Sequence, residues 1–179
     1  IKFFWNNTHD RESLDIWYDI CKEEGTYIDV GAHTGLYTLT TMKSNKNNNI
    51  IAFEPYFLNM ARLITNLRIN GINENVTTML SAASNADGKT NFNIKTDGSY
   101  LSKGGKISDN GFEVDIHKLD TLFYNNLTKP LNGIKIDTEG EDYNVLLGAS
   151  KLIKSHKPKI IIEVRDENKI SINTNWFYP

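Results

Sequence analysis

Five short apolar runs mark out the chain: Tyr27-Ile28-Asp29-Val30, Ile50-Ile51-Ala52-Phe53, Val76 to Leu80, Gly133-Ile134-Lys135-Ile136 and Lys159-Ile160-Ile161-Ile162. Continuous apolar runs of this length, rather than strict alternation, belong to strands buried on both faces. Parallel neighbours of that kind need a crossover connection, usually a helix. Helix-patterned stretches fill the intervals. Asp10 to Glu24 carries Leu14, Ile16, Trp17, Ile20 and Cys21 with near-helical spacing and is closed by Gly25; Leu36 to Met42, Tyr56 to Asn70, Lys118 to Tyr124 and Asp142 to Leu152 follow. The order predicts an α/β fold, a mainly parallel sheet with helices on both faces, ending at a fifth parallel strand.

A length of 179 residues suits a single domain over 1–179, able to bury a core without disulfides or a structural metal. Within it, 1–25 reads as an N-terminal helical segment and 86–117 as an insertion of different character. Phe92 and Ile94 alternate with polar residues, as do Phe112, Val114 and Ile116, which predicts an antiparallel pair. Between them, 97–110 reads as an exposed loop, either a lid or plain solvent-facing chain.

Charge and composition remove several function classes. A formal net charge of -2 supplies no basic field for a phosphate backbone, so nucleic acid is not the expected partner. The single cysteine, Cys21, excludes an intramolecular disulfide and a cysteine-rich zinc site, and reads as a thiol packed on the apolar side of a helix. No run reaches the roughly 18 apolar residues of a membrane span, and no signal-peptide pattern opens the chain. A cytoplasmic protein is the expectation; the sequence leaves its oligomeric state open.

The chemistry collects at one edge of the predicted sheet. Ligands of open parallel sheets bind beyond the carboxyl ends of the strands. The first strand runs into Gly31-Ala32-His33-Thr34-Gly35, where two glycines permit a tight turn and a close ligand. The helix beginning near Gly35 offers unpaired N–H groups. Glu54 lies 23 residues beyond Gly31 and ends the second strand, where a carboxylate can accept hydrogen bonds from both hydroxyls of a ribose. An adenosine cofactor fits this pattern. His33 stands where a dinucleotide fingerprint wants its second glycine, which disfavours NAD, and Leu36 follows Gly35 where a P-loop needs lysine. S-adenosylmethionine has no phosphates to cradle, and its ammonium suits Asp29, directly or through water.

The blocks Tyr27-Ile28-Asp29-Val30-Gly31-Ala32-His33-Thr34-Gly35-Leu36-Tyr37-Thr38, Ala52-Phe53-Glu54-Pro55 and Ile134-Lys135-Ile136-Asp137-Thr138-Glu139-Gly140-Glu141 resemble those of FkbM-type methyltransferases. So do Val145-Leu146-Leu147-Gly148-Ala149 and Pro158-Lys159-Ile160-Ile161-Ile162-Glu163, in the same order, from about Tyr27 to Glu163. The resemblance implies a Rossmann-like class I methyltransferase that moves a methyl group from S-adenosylmethionine to a hydroxyl of a sugar, glycan or small metabolite. It also implies that Pro55 and Tyr56 lie near the adenine ring and that Ala82 and Ala83, within Ser81 to Ser84, meet its edge. The family commonly has Asn where this chain has His33, and a His after the glutamate where this chain continues Val164-Arg165.

Methyl transfer from a sulfonium is an in-line displacement that asks the protein chiefly to orient the acceptor oxygen. Asp137 and Glu139, at the mouth of the fourth parallel strand, are the candidates to orient or deprotonate it. Asp137 also counts among the cofactor-site candidates, beside Asp29, Gly31, His33, Thr34, Gly35, Glu54, Pro55, Tyr56, Ala82 and Ala83. Asp137 and Glu139 each have a plainer alternative, a cap on the following helix. Lys135 reads as an ion-pair partner or a snorkelling strand residue, and His33 as a ligand contact or a surface residue. No metal is expected; His33, Asp137 and Glu163 form the set that would meet a hard cation. A non-catalytic binding domain with the same fold is the competing function, and an NAD enzyme the third.

Overall fold

The computed structural model describes residues 8–96 and 102–162. Helix α1 (Thr8–Ile20) leads to β1 (Thr26–Val30), α2 (Leu36–Ser44), β2 (Asn49–Phe53), α3 (Phe57–Ile69) and β3 (Val76–Met79). There follow β4 (Ala82–Ala83), β5 (Gly88–Thr96), β6 (Ser102–Ile107) and β7 (Phe112–His117). The chain then returns through α4 (Leu119–Phe123), β8 (Leu131–Ile136), α5 (Asp142–Gly148), α6 (Ser150–His156) and β9 (Lys159–Ile162).

β3, β2, β1, β8 and β9 form a five-stranded sheet in that order, with every pairing parallel. The chain order reverses between β1 and β8, which places a switch point at their carboxyl ends. Because successive side chains point to opposite faces, each strand feeds two cores. Ile28, Val30, Ile51, Phe53, Ile134 and Ile136 pack with Leu119, Val145 and Leu152 from α4, α5 and α6. On the other face, Tyr27 and Ile50 pack with Trp17, Cys21 and Met42, while Ala52 packs with Met60 and Leu63 of α3. The fold is Rossmann-like, as the alternation of runs and helices predicts.

Three differences from the sequence reading have their cause in tertiary packing. α1 stops at Ile20 rather than near Glu24, because tertiary groups take its last carbonyls. The Tyr27 hydroxyl lies 3.0 and 2.6 Å from the carbonyl oxygens of Ile20 and Glu23, and the buried Asn48 amide donates to that of Cys21. The stretch 142–152 is two helices, not one, broken at Ala149. There Gly148 lies so close to the backbone of Ser84 that a side chain would overlap its carbonyl.

The third difference lies in the insertion. Its antiparallel pairs form, but part of the expected 97–110 loop is strand β6, paired with β5 through Phe92↔Ile107 and Ile94↔Gly105. Gly105 lies beneath the Phe92 ring, 3.1 Å at its missing Cβ from the Asn93 carbonyl oxygen, so a turn-like glycine here is a packing residue. Residues 97–101 of that loop lie outside the described residues. The small sheet, in order β4-β7-β5-β6, buries Phe92, Val114 and Ile116 around Tyr56.

Candidate active site

The loops after β1, β2, β3 and β8 meet at one edge of the large sheet. Gly31 turns with φ 75°, and a Cβ there would overlap the Asp137 carbonyl oxygen. The amide of Asp137 donates to the Val30 carbonyl at 3.1 Å, so the ends of β1 and β8 are in backbone contact. Gly31 therefore accommodates the neighbouring strand end. Gly35 (φ 90°) precedes α2, and a Cβ there would meet Leu63 Cγ at 2.8 Å; no side chain caps the helix. Between the glycines, His33 is exposed in the left-handed region (φ 51°). The carbonyl of Thr34 accepts from the Asn66 amide at 2.8 Å.

Glu54 is 5% exposed at the end of β2. One carboxylate oxygen accepts the His33 amide at 2.9 Å, and the other accepts the amide of Tyr56 at 2.9 Å and of Asn59 at 3.4 Å. Burial raises its pKa above the usual glutamate value against these hydrogen bonds. The oxygen that accepts the His33 amide keeps a lone pair for a further donor, and the other gains one when the longer Asn59 contact gives way. Glu54 thus ties the turn after β1 to the turn after β2.

Tyr56 is buried in the small-sheet cluster, its ring 5.2 Å from that of Phe57 and 6.1 Å from that of Phe112. It is a packing residue of the inserted sheet, while Pro55 beside it is half-buried. Ala83 points into the large core and Ala82 packs against the Tyr56 cluster. Ser81, in the turn after β3, is 3% exposed, and its hydroxyl has no hydrogen-bond partner. Such an orphaned buried hydroxyl is a candidate contact for a polar ligand edge.

The carboxylate of Asp29 is fully buried. Thr38 donates its hydroxyl to one oxygen at 2.7 Å, and the Lys135 ammonium lies 3.4 Å from the other. The Asp29 oxygen that faces Lys135 has no hydrogen-bond partner, so it is a second buried polar atom, beside the Ser81 hydroxyl, left for a further donor. Lys135 is itself 4% exposed; it donates to the Gly31 carbonyl at 2.9 Å, lies 3.7 Å from Asp137 and sits 5.0 Å from the centre of the Tyr37 ring. Of the two readings for Lys135, the ion pair is the one found. The side chain of Asp137 is 42% exposed.

After Asp137 the chain turns through Glu139 (φ 59°) and Gly140 (φ 124°). Asp142 fixes this turn by accepting the amide and hydroxyl of Thr138, both at 3.0 Å, and Glu141 accepts from Ser84 and Asn144. No side-chain hydrogen bond caps α5, so the helix-capping alternative for Asp137 and Glu139 is not found. A left-handed glutamate beside a ligand edge is a strained conformation of the kind that gathers at functional sites. Among the described residues no group of three His, Cys, Asp or Glu side chains is placed to hold a metal ion; Glu163 lies outside them. No described helix is long and apolar enough to cross a membrane.

The strand order, the glycine turn and the acidic end of β2 define a Rossmann-like class I methyltransferase fold. The chain belongs to the methyltransferase FkbM domain family, whose model matches residues 29–171. It is similar in structure to the methyltransferase FkbM from Methylobacillus flagellatus KT, with a TM-score of 0.57 and 21% identity over 78% of this chain and 32% of that one. This chain spans about a third of that relative's length. It is also similar to a precorrin-6y C5,15-methyltransferase from Geobacter metallireducens GS-15, with a TM-score of 0.58 and 12% identity over 98% of this chain and 72% of that one. A third, an rRNA methylase from Streptococcus thermophilus, has a TM-score of 0.54 and 14% identity over 92% of this chain and 77% of that one. No curated protein matches the chain.

Proposed function

We propose that the protein is an S-adenosylmethionine-dependent O-methyltransferase acting on a hydroxyl of a sugar, glycan or small metabolite. The observation that carries the reading is the charge at the switch point. Asp29, Lys135 and Asp137 form one cluster of two carboxylates and one ammonium, which leaves a negative charge beside the glycine turn. A pyrophosphate would be repelled there, whereas a cationic, phosphate-free donor is attracted. Glu54 suits the two ribose hydroxyls, and the orphaned Ser81 hydroxyl suits a polar base edge.

When bound, the donor supplies a methyl group on a positively charged sulfur. This chain's residues hold it and aim the acceptor. Glu54 accepts the ribose hydroxyls while remaining pinned by the His33 and Tyr56 amides, a preorganised geometry that spares reorientation on binding. Asp137 and Glu139 supply acidic groups where a donor ammonium and an acceptor hydroxyl have to be met. The net charge of -2 supports a small or glycan acceptor over RNA.

Calorimetry with S-adenosylhomocysteine and with NADH tests the cofactor: binding of the first and not the second is expected. A protein that binds NADH and ignores S-adenosylhomocysteine ends the proposal. A screen with a labelled methyl donor over sugar hydroxyls, small hydroxylated metabolites and rRNA then tests the acceptor. Label found in rRNA alone removes the hydroxyl-metabolite assignment, and cofactor binding with no labelled acceptor favours the non-catalytic alternative.

A further inference from the structure

Asp29 and Lys135 occupy paired positions in the parallel register of β1 and β8, so their side chains rise from the same face of the sheet. The Lys135 ammonium is enclosed by the Gly31 carbonyl, the carboxylates of Asp29 and Asp137, and the Tyr37 ring. Burial works to discharge it, but Asp29 and Asp137 outweigh burial and hold its pKa above that of an ordinary lysine. Asp29 has no exposed surface, whereas Asp137 is 42% exposed. The one uncompensated charge of the cluster therefore faces outward at Asp137.

We infer that Lys135 is a positioning residue for the methyl donor: it neutralises the buried Asp29, leaving Asp137 as the net negative group that holds the donor's α-ammonium. The inference rests on the cofactor reading above, and it divides the two acidic residues of the loop after β8. Asp137 serves the donor, and Glu139 is left to meet the acceptor hydroxyl. The balance of the cluster matters as much as the contact. With Asp29 neutral, the whole charge of Lys135 falls on Asp137 and the mouth loses its attraction for a cation. Removing Lys135 as well restores the excess charge.

A charge cycle read by calorimetry with S-adenosylhomocysteine, which keeps the α-ammonium, tests this. Asp137→Asn and Asp29→Asn should each weaken binding by about tenfold or more, the scale of a hydrogen bond to a charged group. The double variant Asp29→Asn/Lys135→Met should recover affinity to within about threefold of the unmodified chain. It leaves no unpaired buried charge, so it folds where Lys135→Met alone would strand Asp29; melting temperature and near-UV circular dichroism verify each fold. If Asp29 touched the donor itself, or acted only through stability, the double variant would stay as weak as Asp29→Asn, and the inference falls. It falls equally if Asp137→Asn binds as the unmodified chain does. Failure of the unmodified chain to bind S-adenosylhomocysteine removes the cofactor reading first, whereas normal binding without rescue removes only the role of Lys135.

Discussion

Gly31→Ala is the substitution the site should tolerate least, for two separable reasons. The residue has φ 75°, a conformation that costs a non-glycine residue about 1–2 kcal/mol. In addition, the new Cβ would overlap the Asp137 carbonyl oxygen and lie 2.9 Å from its carbon. Backbone cannot rotate away as a side chain can, so β1 and β8 must separate at their ends, an overpacking cost of about 1–3 kcal/mol. The sum is about 2–5 kcal/mol. Gly71→Ala is the control, since Gly71 has nearly the same φ (69°) with nothing within 4 Å of a Cβ. That variant should lose about 1 kcal/mol from conformation alone. Urea unfolding of both variants, analysed with equal m-values, isolates the steric part as their difference. Equal losses in the two would refute the argument that Gly31 is required by the approach of the neighbouring strand.

Two further outcomes follow from buried groups. Burial raises the pKa of Glu54, so the folded protein holds this proton more readily than the unfolded chain; its ionisation costs stability as pH rises above 4.5, and that cost is relieved as pH falls through the raised value. Under the proposed ribose role, calorimetric affinity for S-adenosylhomocysteine should fall on the acid side at a pH above 4.5, and a decline centred at or below 4.5 would count against Glu54 as the group responsible. Burial pushes the Cys21 thiol up to about 12, against a hydrogen bond with Thr41, so thiolate is scarce at neutral pH. Iodoacetamide labelling at pH 8 should proceed only through unfolding and track the urea transition; rapid labelling of the native protein would contradict the packing around Trp17.

The large sheet was legible because strands buried on both faces leave unmistakable runs, and Ile28, Ile51 and Ile134 could hardly belong elsewhere. β6 was not, since Ser102-Lys103-Gly104-Gly105-Lys106 has the composition of a loop and becomes a strand through pairing with β5 and the packing of Gly105 on Phe92. The loop residues that form the edge were readable from glycine and acid positions. Their partners were not, because the register that sets Asp29 opposite Lys135 is a tertiary fact. A charged residue at matching depth in two apolar runs was the available signal. Tyr56 shows the same limit, because an aromatic two residues after Glu54 invites a place over a base, and only the inserted sheet claims its ring.

The order in which the chain can assemble follows from the position of that inserted sheet. β1 and β2 are joined through a short crossover, but β1 pairs with β8, from Thr26↔Leu131 to Val30↔Ile136, only across the whole stretch of chain that holds β2 to β7. Closing so long an intervening segment carries a large entropic cost before any contact rewards it. The antiparallel pairings of β5 with β6 and β7 are local and can form early, which shortens the effective span. The glycine turn and Glu54 are then in place while Lys135 and Asp137 are still absent, so the charge balance of the site belongs to the last stage of folding. Docking of β8 brings the lysine counter-ion together with the cover that buries Asp29, a reason for the central strand pair to close cooperatively.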